Sequence, residues 1–459
     1  MSKFDGMLFY KLSDVLNLIC FIIFLMNHNI CMVSDFFYPN SGGVENHIYQ
    51  LSTFLIQQGY KVIAVTHGYE DRKGIRYLQN GLKIYYLPLI PFYNSCILPT
   101  LYSTTSLIRH ILIREDISIL HGHSAFSALA LESIVHANLL NIKTVFTEHS
   151  LFGFADASSI ITNQLLKITL CTCNHIICVS HTSKENTILR AYIKPEMISV
   201  IPNAIDSTIF VPRDLHEQIN KTNINIIVMS RLVYRKGISM LVDIIPEICS
   251  LFPNVNFIIG GDGPKRLDLE EMKEKNQLDR QVSLLGKIEH DNVYEILTKG
   301  QIFLNTSLTE AFCIAILEAA SCGLQVVSTK VGGIPEVLPQ EYITLVDPNV
   351  KAITKGLINT IKKCQSNEQT SPIILHNTVK TCYSWDNIAQ RTGKIYDNIL
   401  QEKESTIYDK LKKYYMTGPI CGKLFYLIIL LDYILLWVCE YFYPKKYIDK
   451  SLKLKRYMP

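Results

Sequence analysis

Short apolar runs of strand length recur along this chain at helix-length intervals, and they do so in two series. Ile30-Cys-Met-Val-Ser34, Lys61-Val-Ile-Ala-Val-Thr66, Ile117-Ser-Ile-Leu-His121 and Thr144-Val-Phe-Thr147 form the first series. Asn225-Ile-Ile-Val-Met229, Asn256-Phe-Ile-Ile259, Ile302-Phe-Leu304 and Gln325-Val-Val-Ser328 form the second, after Pro212. Runs this uniformly apolar suit strands covered on both faces, and parallel strands need the intervening helices as crossovers. The pattern predicts an α/β chain with two doubly wound, Rossmann-like domains facing a cleft outside the carboxyl ends of both sheets. Ligand-binding residues are then expected just after strands.

The polar stretch from Val211 to Asn223 lacks apolar periodicity and reads as the connection between the halves. The expected divisions are an N-terminal extension (1–27), a first domain (28–212), a second domain (213–400), a linker (401–420), an apolar helix (421–443) and a tail (444–459). With 459 residues, 48% of them apolar, two full cores can form, which excludes a disordered scaffold. The surplus of 45 Lys+Arg over 41 Asp+Glu is too small for a phosphate-tracking surface, so no nucleic-acid partner is expected. The 13 cysteines lack disulfide-scaffold spacing and read as reduced thiols facing the cytosol.

From Leu424 to Tyr443 the chain is apolar except for Asp432 and Glu440 and is long enough to span about 30 Å of hydrocarbon. It is expected to cross a membrane, with Asp432 turned toward the helix of another membrane protein rather than lipid. A buried C-terminal helix of a soluble domain would read similarly. Val15 to Met26 is a shorter apolar stretch that suits a signal anchor, an interfacial helix or a plain extension. Lysines flank the C-terminal segment on both sides, at 410, 412, 413 and 423 and again at 445, 446 and 450. The basic tail taken alone would belong in the cytosol.

Two carboxylates, Glu310 and Glu318, straddle a predicted helix start after the strand Ile302–Leu304. Glu318 sits among Ile314, Ile316, Leu317 and Ala319, where a carboxylate needs donors such as a pair of vicinal sugar hydroxyls. A rim glutamate and a helix-start acid would show the same spacing. Arg231 and Lys236 follow the strand ending at Met229, where cations would meet a diphosphate, although a solvated basic turn looks alike. Gly260-Gly261-Asp-Gly-Pro264 follows another strand and leaves room for a nucleotide, or simply joins strand to helix. Gly42-Gly43 opens a helix whose N–H groups can hold an anion. His123 ends a strand, where an imidazole can hold a phosphate, move a proton or be structural. The spacing of Cys171, Cys173, His175 and Cys178 hints at a metal, but strand alternation would turn these side chains to opposite faces. No P-loop, G-x-G-x-x-G or D-x-D occurs.

Together the Gly42-Gly43 loop, Arg231 and Lys236, the Gly260–Pro264 turn and the E-x7-E pair resemble the retaining GT-B glycosyltransferases of the sucrose-synthase and glycogen-synthase group. NICMVSDFFYPNSGGVENHIYQL, TEHSLFGFADASS, MSRLVYRKGI and FLNTSLTEAFCIAILEAASCGLQVVSTKVGGIPEVLP resemble, within it, the family of catalytic subunits of phosphatidylinositol N-acetylglucosaminyltransferase. The resemblance implies UDP-N-acetylglucosamine as donor, phosphatidylinositol as acceptor, transfer to the inositol 6-hydroxyl with retention, no metal or other cofactor, and other membrane subunits as partners. By position, Glu318 would hold the ribose, Glu310 the transferred sugar, Arg231 and Lys236 the diphosphate with Gly42, Gly43 and Gly261, and His123 would sit near the reacting centre. The implied location is the endoplasmic reticulum membrane, with one span, a cytosolic body and a lumenal tail. Transfer of mannose from GDP-mannose and a catalytically silent scaffold of the same fold are the competing readings.

Overall fold

The computed structural model describes residues 28–40, 42–93, 95–153, 157–213 and 223–451. Val15 to Met26 and most of the expected linker between the halves (214–222) lie outside them. Every strand expected from the apolar runs is present. The first lobe runs β1 (Asn29–Val33), α1 (Gly43–Gln57), β2 (Lys61–His67), β3 (Gly74–Tyr77) and β4 (Lys83–Leu87). It continues through the small hairpin β5 (Pro91–Tyr93) and β6 (Cys96–Ile97), then α2 (Tyr102–Arg114), β7 (Ile119–His123) and α3 (Ala128–Leu139). β8 (Lys143–Glu148), α4 (Ala157–Leu170), β9 (His175–Cys178), α5 (His181–Ala191) and β10 (Ile198–Val200) complete it. Its eight-stranded sheet has the order β10-β9-β8-β7-β1-β2-β4-β3 and is parallel except for the edge strand β3.

The second lobe runs β11 (Ile224–Met229), α6 (Ile238–Leu251), β12 (Val255–Gly260), α7 (Arg266–Lys275), β13 (Val282–Gly286) and α8 (Val293–Leu297). β14 (Ile302–Asn305), α9 (Ile314–Ser321), β15 (Gln325–Thr329), β16 (Ile343–Val346), α10 (Val350–Gln365) and α11 (Pro372–Cys382) follow. Its sheet is parallel, six-stranded and ordered β13-β12-β11-β14-β15-β16. Each sheet is covered on both faces by separate apolar clusters, as its unbroken Val/Ile runs require.

The expected extent of the second domain, 213–400, is corrected at its end. α12 (Trp385–Leu400) starts where the Ser384 hydroxyl accepts the Asn387 N–H, and its stripe Trp385, Ile388, Ala389, Tyr396 and Ile399 is buried against the first sheet. The chain thus crosses back and ties the lobes together. Trp385→Ala is expected to cost about 3–5 kcal/mol, the usual range for deleting a buried large aromatic, and a urea unfolding midpoint measures it.

The stretch expected to be a linker, 401–420, holds a further helix, α13 (Ile407–Tyr415), opened by a capping box between Thr406 and Asp409. α14 (Cys421–Phe442) is long and apolar enough to cross a membrane, the one such helix among the described residues. Ile429 and Leu436 nevertheless pack with Leu411 and Tyr414 onto Val135, Leu139 and Ile168, as a third layer outside the first lobe. Asp432 does not await another protein's helix: it is buried at 0% exposure, accepting from Thr105 Oγ1 at 2.7 Å and bonded to His136 Nδ1 at 2.8 Å. The start of the tail also touches the first lobe, with the Ser451 N–H on the Arg114 carbonyl at 2.8 Å and Lys83 Nζ on Ser451 Oγ at 3.2 Å.

Candidate functional site

Gly43 lies at the first turn of α1, and Glu318 lies in the second turn of α9. The parallel crossovers bring both ends to the gap between the lobes, where a cavity of about 270 Å³ is lined by Tyr38, Asn40, Gly42, Gly43, Glu45 and Asn46 from one side. Ile288, His290, Val293, Ile314 and Glu318 line it from the other. A Cβ on Gly42 would stand 2.5 Å from Glu45 Oε2, so only glycine lets that carboxylate fold back on the turn. A Cβ on Gly43 would meet only Ile314 Cδ1, at 3.8 Å. Gly43 leaves space at the cavity wall rather than relieving a clash.

Glu318 is 9% exposed, and burial pushes its carboxyl up to about 7. It is a carboxylate short of donors at a cavity edge, the condition inferred from its apolar neighbours. Glu310 lies in the loop before α9, ion-paired with Lys236 Nζ and accepting from Ser307 Oγ at 2.9 Å. Burial is the largest single effect on Lys236 and acts to lower it, but the Glu310 charge, Cys313 and the hydrogen bond to Glu310 together outweigh it and its amine is raised. Arg231 is exposed, and its charge acts on both Lys236 and Glu45. Burial dominates at Glu45 and raises it, with its own backbone N–H and Arg231 opposing. Two cations and two acids therefore converge beside the cavity.

Gly261 has a packing reason of its own. At φ 135° its Cβ would stand 1.8 Å from the Ser230 carbonyl, so the glycine turn is what lets the loop bearing Arg231 pass close over it. Neither Gly261 nor Arg231, Lys236 and Glu310 lines the cavity itself.

His123 is fully buried and lies away from the cavity lining. Its ring stacks on His121 and His149, with Nδ1 3.2 Å from His149 Nε2. Burial, then the charges of His121, His149 and His47, lower it well below the usual imidazole range. A neutral ring cannot hold a phosphate by charge. His47, bonded through Nδ1 to Asn203 Oδ1 at 2.9 Å, completes a group whose ligand atoms with His123 and His149 lie within 4.8 Å, a spacing a metal ion could use. The Cys171-to-Cys178 segment is no such group: Cys173 donates to the Thr144 carbonyl and His175 pairs with Ser199.

Sequence reasoning singled out neither Glu45, His47 nor His149. His149 follows β8 directly, so the strand-end criterion applied to His123 would have found it. His47 sits one turn into α1 on its buried face, where nothing in the periodicity separates it from a core residue.

Two facing Rossmann-like lobes tied by a returning C-terminal helix, with acids and cations at the loops between them, define a glycosyltransferase of GT-B fold. Solved structures agree: a sucrose-phosphate synthase from Thermosynechococcus elongatus is 19% identical with a TM-score of 0.67, covering 81% of this chain and 99% of its own. A glycosyltransferase from Rickettsia africae is 21% identical with a TM-score of 0.65, covering 82% and 99%. Residues 214–372 match the family model for glycosyl transferases group 1, and 67–156 match PIGA (GPI anchor biosynthesis). A phosphatidylinositol N-acetylglucosaminyltransferase subunit from Homo sapiens is 54% identical over 426 residues, 93% of this chain and 87% of that protein. Its Arabidopsis thaliana counterpart is 47% identical over 423 residues, 92% and 93% of the two chains. The chain belongs to this PIGA family of phosphatidylinositol N-acetylglucosaminyltransferase subunits.

Proposed function

We propose that the chain transfers N-acetylglucosamine from UDP-N-acetylglucosamine to the inositol 6-hydroxyl of phosphatidylinositol, with retention, as the first step of GPI-anchor assembly. The observation that carries this reading is the meeting of the Gly42-Gly43 turn and Glu318 in one interlobe cavity, beside the Lys236–Glu310 pair. The names of the relatives supply the donor sugar and the acceptor lipid.

Glu318 takes the ribose hydroxyls, whose donors stabilise its charged form. The α1 N-terminus with Gly42 and Gly43, together with Arg231 and Lys236, holds the diphosphate and neutralises charge as UDP departs. Glu310 orients the transferred sugar, and Gly261 keeps the Arg231 loop in place. His123 acts near the reacting centre from within the first lobe. The enzyme works at the endoplasmic reticulum membrane, with its catalytic body in the cytosol and other membrane subunits as partners.

Membranes containing the chain, incubated with radiolabelled UDP-N-acetylglucosamine, should yield a labelled phosphatidylinositol product. A label accepted only from GDP-mannose would overturn the donor assignment. Gly43→Ala should leave the thermal midpoint unchanged, because its Cβ meets only Ile314 Cδ1 at 3.8 Å, yet weaken UDP binding about tenfold, which calorimetry reads. The metal-free reading predicts unchanged turnover after chelation by EDTA. A loss restored by one divalent ion would point instead to His47, His123 and His149.

A further inference from the structure

We propose that the β5–β6 hairpin, with Phe126 beside it, is the surface by which the first lobe meets the bilayer at the mouth of the cleft and takes up its lipid acceptor, a role that rests on the phosphatidylinositol acceptor proposed above. The hairpin stands outside the eight-stranded sheet as a two-stranded ribbon of its own. Ile90 is 87% exposed and Phe92 78%, and Leu98 and Phe126 are exposed with them. No Asp, Glu, Lys or Arg occurs between Lys83 and Arg109. Ribbons left in water are ordinarily guarded by charged side chains. An uncharged one carrying large apolar groups outward marks a surface that is covered when the protein works.

Hydrogen bonds fix this ribbon at the cleft. Asn40, which lines the interlobe cavity, donates through Nδ2 to Ser95 Oγ at 3.3 Å, and His67 Nε2 at the end of β2 donates to the Ser95 carbonyl at 2.7 Å. The Ile97 N–H donates to Asp35 Oδ1 at 3.1 Å, while Asp35 Oδ2 accepts from Ser127 Oγ at 2.8 Å and the Leu129 N–H at 3.0 Å. Asp35 is fully buried just past β1, so one carboxylate clamps the hairpin to the start of α3 and sets Phe126 on the same rim. The Phe126 ring is held there against Phe152, with centroids 4.4 Å apart. Two observations choose lipid as the occupant. The acyl chains of the acceptor stay in the bilayer while its inositol reaches the cleft, so the cleft's rim on the acceptor side must lie against the membrane surface. Tyr102, at the start of α2 just past Leu98, also donates to the Ile428 carbonyl at 3.1 Å, which sets the rim beside the helix apolar enough to cross a membrane.

Phe92→Trp in the full chain adds one indole to Trp385 and Trp437, and in vesicles with brominated acyl chains it should lose more fluorescence than the parent chain. Equal quenching overturns the proposal, and so does absent quenching coupled to lost co-purification of another membrane subunit, which would give the surface to a protein. The double variant Ile90→Ser and Phe92→Ser alters only exposed side chains and should keep its thermal midpoint and its affinity for UDP. The surface fraction of phosphatidylinositol that gives half-maximal rate should rise about tenfold, while the rate on a water-soluble, short-chain phosphatidylinositol stays that of the parent. An equal loss on both acceptors would place the hairpin's effect in the cleft and overturn the membrane role. A parent chain that labels neither acceptor overturns the acceptor assignment instead, whereas unaltered quenching at position 92 overturns only the hairpin.

Discussion

Lys236→Ala should lower turnover by about 10²–10³-fold, the usual cost of removing one preorganised group that meets developing transition-state charge. Lys236 is a credible source of that much catalysis because it is already positioned. It follows β11, stands next to Glu310 and stays firmly protonated against the pull of burial. A cation fixed before the substrate arrives costs little to reorganise when negative charge builds on the departing diphosphate. KM should change less than kcat, because the charge is largest in the transition state. Glu310→Gln should also cost about 10²-fold, and the double variant should lose much less than the product, since each side chain holds the other. Steady-state assays with labelled donor, beside thermal midpoints showing intact folds, check all three. Full activity of Lys236→Ala would remove the diphosphate role assigned to it.

Glu318→Gln should have opposite effects on stability and on binding. Burial displaces its carboxyl from 4.5 to about 7, so the folded chain keeps a proton that the unfolded chain has lost across that interval. Stability therefore falls as pH rises from about 4.5 to about 7, by about 3 kcal/mol in all, with the penalty complete above 7. The glutamine variant should be more stable than the parent above pH 7 by up to that amount and indistinguishable from it near pH 4. Urea midpoints at the two pH values test the sign. Nucleotide binding should run the other way. If the ribose hydroxyls donate to a charged carboxylate, UDP binds more tightly as pH rises toward 7 and displaces a proton, which calorimetry in two buffers of different ionisation heat detects. Glu318→Gln should lose that proton release and bind UDP about tenfold more weakly. Equal binding and an unchanged pH profile would return Glu318 to the role of a plain rim residue.

Much of the site was legible because its residues follow strands. In a doubly wound sheet the carboxyl end of every strand opens on one edge, so placing Glu310 after β14 or Arg231 and Lys236 after β11 already places them at the cleft. Glu318 was legible for a second reason, since a charge among Ile314, Ile316, Leu317 and Ala319 advertises its burial. Glu45 and His47 were not legible, because α1 could turn either side of that turn toward the second lobe, and only the packed orientation decides which side chains meet Arg231 or Asn203.

The amino-acid sequence alone determined the two largely parallel sheets, four strands of each, the helix starts at Gly43 and after Glu310, and an apolar helix at the C-terminus, because each depends on local periodicity and on which face must be hidden. Only the tertiary structure decided that Trp385–Leu400 returns to the first lobe, that three histidines gather within that lobe, and that Asp432 finds its partners in its own chain. An apolar stripe shows that a helix must be covered, not by what. That is settled by which complementary surfaces, hundreds of residues away in the chain, come within reach once the first lobe has folded.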